Sequence, residues 1–92
     1  MLFLNHSEIV MWQDRTRREG GPRHDAANKL HAWQEYVDTV SDGWCYWASA
    51  PRAAKALQEI VNGTREATDA SVRKALGPIR ACCTRHRLTC PF

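Results

Sequence analysis

Apolar residues along the chain recur mostly at helical spacing, most clearly over residues 25–39. Asp25 is a good N-cap residue, and the apolar positions that follow it lie three or four residues apart. These positions are Ala26, Leu30, Trp33, Val37 and Val40. They line one face of a helix, which is therefore predicted to about residue 39. The Asp42-Gly43 turn would also suit a hairpin between residues 36–40 and 44–48.

The N-terminal segment carries a weaker helical signal, and a helix is predicted over residues 5–18. Asn5 and Glu8 have the spacing of a capping box, with Asn in place of the usual Ser or Thr. The apolar run Ile9 to Trp12 is too short for periodicity to separate helix from strand, so a strand remains the alternative there.

Glycine and proline divide the C-terminal half into three predicted helices. Pro51 is expected in the first turn of a helix that begins at residue 49 or 50 and ends at Asn62-Gly63. A shorter helix is expected from Thr68 or Asp69 to residue 76. Gly77-Pro78 is expected to end it and to open a last helix over residues 78–87, after which the tail packs back on the core.

The segment Trp44-Cys45-Tyr46-Trp47 is the β candidate, because aromatic residues favour strands. The predicted fold class is therefore α-dominant α+β, with four or five short helices and a minor β element near residues 44–48. With 43% hydrophobic and 25% charged residues, the chain has ordinary globular composition. At 92 residues it is expected to form a single compact domain, residues 1–92.

Charge is distributed unevenly along the chain. Residues 1–69 carry eight basic and ten acidic side chains, whereas residues 70–92 carry five basic side chains and no acidic one. These five are Arg73, Lys74, Arg80, Arg85 and Arg87. A basic face without acids is typical of surfaces that bind nucleic acid or an acidic partner. The competing interpretation is that cations simply favour helix C-termini and solvent.

A second basic segment covers residues 15–24, where Gly20-Gly21-Pro22 is expected to make a glycine-broken loop. Its candidate partner-binding residues are Arg15, Arg17, Arg18 and Arg23. Such a loop would bind phosphates or an acidic protein groove. The alternative is a solvated loop with local ion pairs.

Five of the eight aromatic residues fall within 15 residues of one another. Among them, Trp44, Tyr46 and Trp47 are candidate interface residues, because exposed Trp and Tyr are favoured hot spots in protein interfaces. They would also stack on the bases of single-stranded nucleic acid. The alternative places all five in the core.

Cys82, Cys83, His86 and Cys90 form the strongest cluster of potential metal ligands, since thiolate and imidazole are good zinc ligands. Cys45, His24 or His31 could supply a fourth ligand. No second Cys-x-x-Cys pair accompanies them, so the competing interpretation is that the cysteines are small buried residues. A disulfide from Cys90 is not expected to persist inside a cell. The expectation is no cofactor, with zinc as the alternative.

Neither catalytic motifs nor membrane segments are found in the sequence. There is no Gly-x-Ser-x-Gly, no His-Glu-x-x-His and no pair of carboxylates at useful spacing, so an enzyme is not expected. No apolar stretch approaches the ~20 residues that cross a bilayer, and the N-terminus lacks the basic and apolar regions of a signal peptide. A cytoplasmic protein without a membrane partner is expected.

In general profile, being short, compact, motif-poor and arginine-rich, the chain resembles the small inhibitors carried by phages and mobile elements, the anti-CRISPR proteins among them. The resemblance covers size and character, and no site residue is carried over from it. It implies a stoichiometric inhibitor or adaptor of a nucleic-acid-handling complex in the host cell. The partner would then be a protein or ribonucleoprotein complex, bound through arginine and aromatic residues. The alternative is a small nucleic-acid-binding regulatory module, with zinc as its potential stabiliser.

Overall fold

The computed structural model describes residues 5–40 and 45–92, with the side chains at 40 and 45–49 left out of the description. These residues form four helices: α1 His6–Arg17, α2 Gly21–Val40, α3 Cys45–Asn62 and α4 Asp69–Arg85. The described ranges contain no strand, and the α-dominant part of the predicted fold is confirmed. The minor β element is wrong, because residues 45–48 form the first turn of α3. The helix at residues 36–40 likewise replaces the hairpin alternative.

The core is centred on Trp33 of α2. Its side chain is 1% exposed, and its indole Nε1 donates a hydrogen bond of 3.3 Å to the Ala50 carbonyl of α3. Tyr36 stacks on it with ring centroids 5.9 Å apart. Around this pair, α2 packs on α3, α3 packs on α4, and α1 lies mainly against α2. One cluster of buried side chains therefore joins all four helices.

The start of α1 follows the predicted cap. The Asn5 Oδ1 accepts a hydrogen bond of 2.9 Å from the Glu8 backbone N–H, and the Asn5 amide donates one of 3.2 Å to the Glu8 carboxylate. The first bond satisfies one of the backbone donors that a helix N-terminus leaves unpaired, and the second joins the two side chains. The helix prediction is confirmed for this segment, and the strand alternative is wrong.

The turn between α1 and α2 is tighter than predicted. Gly20 and Gly21 adopt positive φ angles of 64° and 63°, and α2 begins at Gly21 with Pro22 in its first turn. Proline costs no internal hydrogen bond at that position. Asp25 is therefore inside the helix and not its N-cap, and its carboxylate pairs with Lys29 at 2.7 Å.

The predicted break at Gly77-Pro78 is wrong, and the two predicted helices 68–76 and 78–87 are one continuous helix, α4. Its buried side chains form an unbroken stripe: Val72, Ala75, Leu76, Ile79, Cys82 and Cys83. A proline in a helix interior costs roughly 3 kcal/mol, while burying a side chain of Ile79's size contributes about 1.5–3 kcal/mol. Burial on both sides of the break therefore outweighs the local penalty, and Pro78 itself lies on the exposed side.

Pro51 is likewise inside a helix, as the seventh residue of α3 and not in its first turn. The connection from α3 to α4 begins at Gly63, whose φ is 88°. Thr68 is the N-cap of α4, as predicted, and its hydroxyl accepts from the Ser71 N–H at 3.0 Å. The hydrogen bond from Arg65 lowers the pKa of Glu59 across this connection.

The C-terminal tail turns back onto the core, as predicted. Arg87 adopts a φ of 58°, and the Leu88 N–H donates to the Cys83 carbonyl at 2.8 Å. The Tyr36 hydroxyl of α2 donates to the Thr89 carbonyl. Leu88, Cys90 and Phe92 pack against the buried cluster, so the tail covers the end of the core. None of the described helices has the length and hydropathy needed to cross a membrane.

Replacing Pro78 by alanine is expected to stabilise the protein. The substitution restores a backbone N–H in the middle of α4 and removes the proline penalty of about 3 kcal/mol. It also makes the unfolded chain more flexible, which lowers stability by about 0.4–1 kcal/mol. We expect the free energy of unfolding in urea to rise by about 2 kcal/mol. Pro91→Ala, in the exposed non-helical tail, is the control: it carries only the unfolded-chain effect and should lower the free energy of unfolding by about 0.4–1 kcal/mol. An unchanged midpoint for Pro78→Ala would show that α4 does not pass through residue 78 as a helix.

Gly77 is expected to depend on Pro78. A Cβ at residue 77 meets no atom within 4 Å, yet proline disfavours helical backbone at the preceding residue through a clash that involves its Cβ. Gly77→Ala alone should therefore raise the free energy of unfolding by less than the ~1 kcal/mol expected in an exposed helix interior. In the double variant with Pro78→Ala, it should contribute the full ~1 kcal/mol. Urea unfolding of both single variants and the double variant measures this coupling. Additive effects would contradict it.

Candidate functional site

The C-terminal cations lie on the solvent side of α4. The apolar stripe occupies one half of the helix, and Arg73, Lys74, Arg80 and Arg85 are all exposed on the other half. At 3.6 residues per turn, Arg73 and Arg80 fall on one flank, and Lys74 and Arg85 fall on the other. Arg87 follows the end of the helix and is also exposed. The prediction placed these residues on consecutive helices, but one helix carries the first four.

A strip of small side chains separates the two flanks of α4. Helical spacing puts Ala70, Gly77, Ala81 and Thr84 along the middle of the exposed half, and all four are exposed. We call the two flanks, this middle strip and Arg87 together the α4 face. Long cationic side chains thus border a floor that carries nothing larger than a threonine.

The α4 face holds the largest group of cations that form no ion pair among the described residues. Of the other eight cations, Arg15, Arg18, Arg52 and Lys55 also form none there, and four are paired. Arg17 pairs with Asp14 at 3.1 Å, Arg23 with Glu19 at 3.3 Å, and Arg65 with Glu59 at 2.7 Å. None of the five cations of the α4 face forms an ion pair with a carboxylate of residues 5–40 or 45–92. Their charge therefore remains available to a partner outside the chain.

The predicted basic loop of residues 15–24 is not a loop. Arg15 and Arg17 lie in the last turn of α1, Arg18 is the C-cap, and Arg23 lies in the first turn of α2. The prediction extended the loop on both sides of Gly20-Gly21-Pro22. The turn between α1 and α2 occupies only residues 18–20.

Arg23 is bound into the structure from three directions. Its Nε donates to the Val61 carbonyl at 2.9 Å, near the end of α3, and its Nη1 contacts Glu19. Its guanidinium also lies 5.2 Å from the centroid of the Trp12 ring. Arg23 therefore links α1, α2 and α3, and its half-buried side chain serves internal contacts first.

Trp12, which the sequence showed only as an apolar residue, is half-buried against the core cluster and contacts two guanidinium groups. The Arg15 guanidinium lies 5.3 Å from its ring centroid, a cation–π geometry. Met11, 40% exposed, lies on the same helix one turn before Arg15. Trp12 and Arg15 are three residues apart, so the spacing rule for helix neighbours would have found the pair. We call Met11, Trp12 and Arg15 the α1 patch.

The three aromatic candidates Trp44, Tyr46 and Trp47 have no described side chain. Trp44 is outside the described residues, and Tyr46 and Trp47 have only their helical backbone described, in the first turn of α3. Of the same group, Trp33 is in the core and Tyr36 is half-buried against it. Two of the five aromatic residues are therefore structural.

The four candidate zinc ligands do not converge. Cys82 and Cys83 are buried in the stripe of α4, and His86 is the C-cap of the helix. The thiols of Cys83 and Cys90 do meet, because the tail turns back. Among the described residues, no group of three or more His, Cys, Asp or Glu side chains is placed to hold a metal ion. Burial, together with the neighbouring Cys90 thiol, raises the pKa of Cys83 to about 11.

The cysteines are expected to differ in reactivity. The thiolate is the nucleophile, so a buried thiol with a pKa of about 11 should react slowly at mildly alkaline pH, whereas the half-exposed Cys90 should react faster. Timed alkylation with iodoacetamide, followed by peptide mass spectrometry, measures both rates in one sample. Alkylation in denaturant is the control, where the two rates should converge. Equal rates in the folded protein would show that Cys83 is accessible.

Comparisons of the chain with protein-family models, with curated proteins and with solved structures return no match. The α4 face and the α1 patch are therefore the surfaces of this protein that bear on its function.

Proposed function

We propose that this chain is a small non-enzymatic binding protein that acts as a stoichiometric inhibitor or adaptor of a nucleic-acid-handling complex. The observation that carries the proposal is the α4 face, with five exposed cations that the described carboxylates leave unpaired. Charge of one sign, concentrated on one surface, attracts an anionic partner and speeds association. Among the described helices, none of the others carries as many cations without an ion pair as α4 does.

The α1 patch supports a protein component in that partner. Arg, Trp and Met are enriched at protein interfaces, and Trp and Arg dominate their hot spots. α1 packs mainly on α2, and α4 packs mainly on α3. The α1 patch and the α4 face therefore lie on helices that do not pack mainly on each other. A ribonucleoprotein or protein–DNA complex offers both kinds of surface, a phosphate backbone and a protein groove. We propose that the protein meets such a complex in the cytoplasm of the host cell.

The second candidate function is a small nucleic-acid-binding regulatory module that needs no protein partner. The absence of any acidic residue after Asp69 favours it, because the α4 face then has one sign along most of its length. The zinc-stabilised version of this module has no support from the placement of Cys82, Cys83, His86 and Cys90. The two candidates differ in what the protein retains after nuclease treatment.

Affinity capture from a host lysate tests the proposal. We expect the tagged chain to retain a defined protein complex, and Arg80→Glu with Arg87→Glu to abolish retention by placing two anions on the α4 face. Arg52→Glu with Arg65→Glu gives the same change in net charge away from α4 and should retain the complex. Equal capture by both double variants would refute a role for the α4 face.

Nuclease treatment and salt separate the two candidates. An inhibitor or adaptor keeps its protein partner after the nucleic acid is digested, through the α1 patch. A free-standing module keeps only nucleic acid, and binding weakens steeply with salt because counterions are released. Trp12→Ala should reduce capture in the first case and leave it unchanged in the second. Circular dichroism of each variant confirms that loss of binding is not loss of fold.

A further inference from the structure

The shape of the α4 face narrows the choice of anionic partner. An α-helix with its side chains is about 10–12 Å across and α4, with 17 residues, is about 25 Å long. The major groove of B-DNA is about 12 Å wide and about 8.5 Å deep, and it admits one helix. The exposed half of α4 runs its whole length with no described helix packed over it, so the helix can enter such a groove.

The two flanks match the two walls of a groove. A helix in the major groove has base edges ahead of it and a phosphate backbone on each side. On α4 the cations stand on both flanks, with Arg73 and Arg80 about 10 Å apart along the axis and Lys74 and Arg85 about 16 Å apart. A single strand needs one line of cations and aromatic rings for its bases, and α4 contains no aromatic residue. Duplex is therefore favoured over single strand.

The middle strip determines how closely α4 can approach the DNA bases and which base contacts it can make. Ala70, Gly77, Ala81 and Thr84 leave room for the helix to sink towards the bases. Base-specific contacts are made mainly by Arg, Lys, Asn and Gln side chains reaching base edges, and the strip contains none of these. Methyl groups of Ala and Thr can contact only the thymine methyl. Binding is therefore dominated by phosphates and nearly independent of sequence.

The charges near the two ends of α4 determine which part of the helix enters the groove. Asp69 lies in the first turn and would repel a phosphate, whereas Arg85 and Arg87 lie at the other end. These two cations also oppose the negative end of the helix dipole, which would otherwise disfavour an anion there. The contact therefore runs from Arg73 to Arg87 and leaves the first turn of the helix outside the groove.

We propose that α4 enters the major groove of duplex DNA and binds its two backbones with little sequence preference. This inference rests on the proposed anion-binding role of the α4 face. Duplex RNA is a poorer partner, because its A-form major groove is too deep and narrow for side chains. Through α4 the protein would occupy target DNA that a nucleic-acid-handling complex must reach.

Fluorescence anisotropy with purified protein tests the proposal on a mixed-sequence DNA duplex, the matching RNA duplex and the single DNA strand. We expect the DNA duplex to bind tightest, and a scrambled duplex to bind equally well. With four or five phosphate contacts, the logarithm of the binding constant should fall with the logarithm of salt concentration with a slope of about −4. Arg80→Ala should reduce that slope by about 0.9.

Ala81→Leu tests the middle strip without changing charge. A leucine there blocks the approach, and we expect affinity for the DNA duplex to fall about tenfold, since a displacement of this size loses roughly one phosphate contact. Ala32→Leu makes the same change at an exposed position of α2 and should bind as the unmodified protein does. No binding to duplex DNA at low salt, equal or tighter binding to RNA duplex or single strand, or no effect of Ala81→Leu would each overturn the proposal. Charge-dependent capture of a complex alongside such a result would leave the proposed function standing.

Discussion

Burial of one half of α4 against α3 is the constraint on which the rest of the structure depends. The stripe from Val72 to Cys83 is continuous only if the helix passes through Gly77-Pro78 without a break. The gain from burying Ile79 and the two cysteines exceeds the roughly 3 kcal/mol that the proline costs. Because the helix is continuous, Arg73 and Arg85 belong to one rigid element. A break at residue 77 would have left two short helices with independent directions and no common face.

Charge compensation differs between α4 and the rest of the protein. The ion pairs of Arg17, Arg23 and Arg65 connect residues three to six positions apart, so they compensate charge locally. Exposed pairs of this kind contribute little to stability, about 0–1 kcal/mol each, but they cancel the field that single charges would project. On α4 there is no acid beyond Asp69 to do this. The net charge of +3 therefore understates the positive field at the C-terminal surface.

What the sequence predicted was local, and what it missed was decided by distant contacts. The caps at Asn5 and Thr68 and the apolar stripe of α2 follow from spacing alone, and all three are present. The helix break at residue 77 was inferred from local rules that take no account of burial on both sides. Arg23 reads as one cation of a basic cluster, because its bond to the Val61 carbonyl crosses 38 residues. The basic C-terminal segment was visible in the charge pattern, but the two flanks needed a continuous helix.

Gly77 and Pro78 connect the cost of the fold to the shape of its surface. Both residues weaken α4 as a helix, and both are exposed. At 3.6 residues per turn, Gly77 lies between the cationic flanks, whereas Pro78 lies just outside the flank of Lys74 and Arg85. Gly77 relieves the clash that proline imposes on the residue before it, so the two operate as a unit. Gly77 alone leaves the middle strip without a long side chain at its centre. Helix stability and close approach of a partner therefore make opposite demands at Gly77. A sequence chosen for stability alone would place alanine or a longer residue at both.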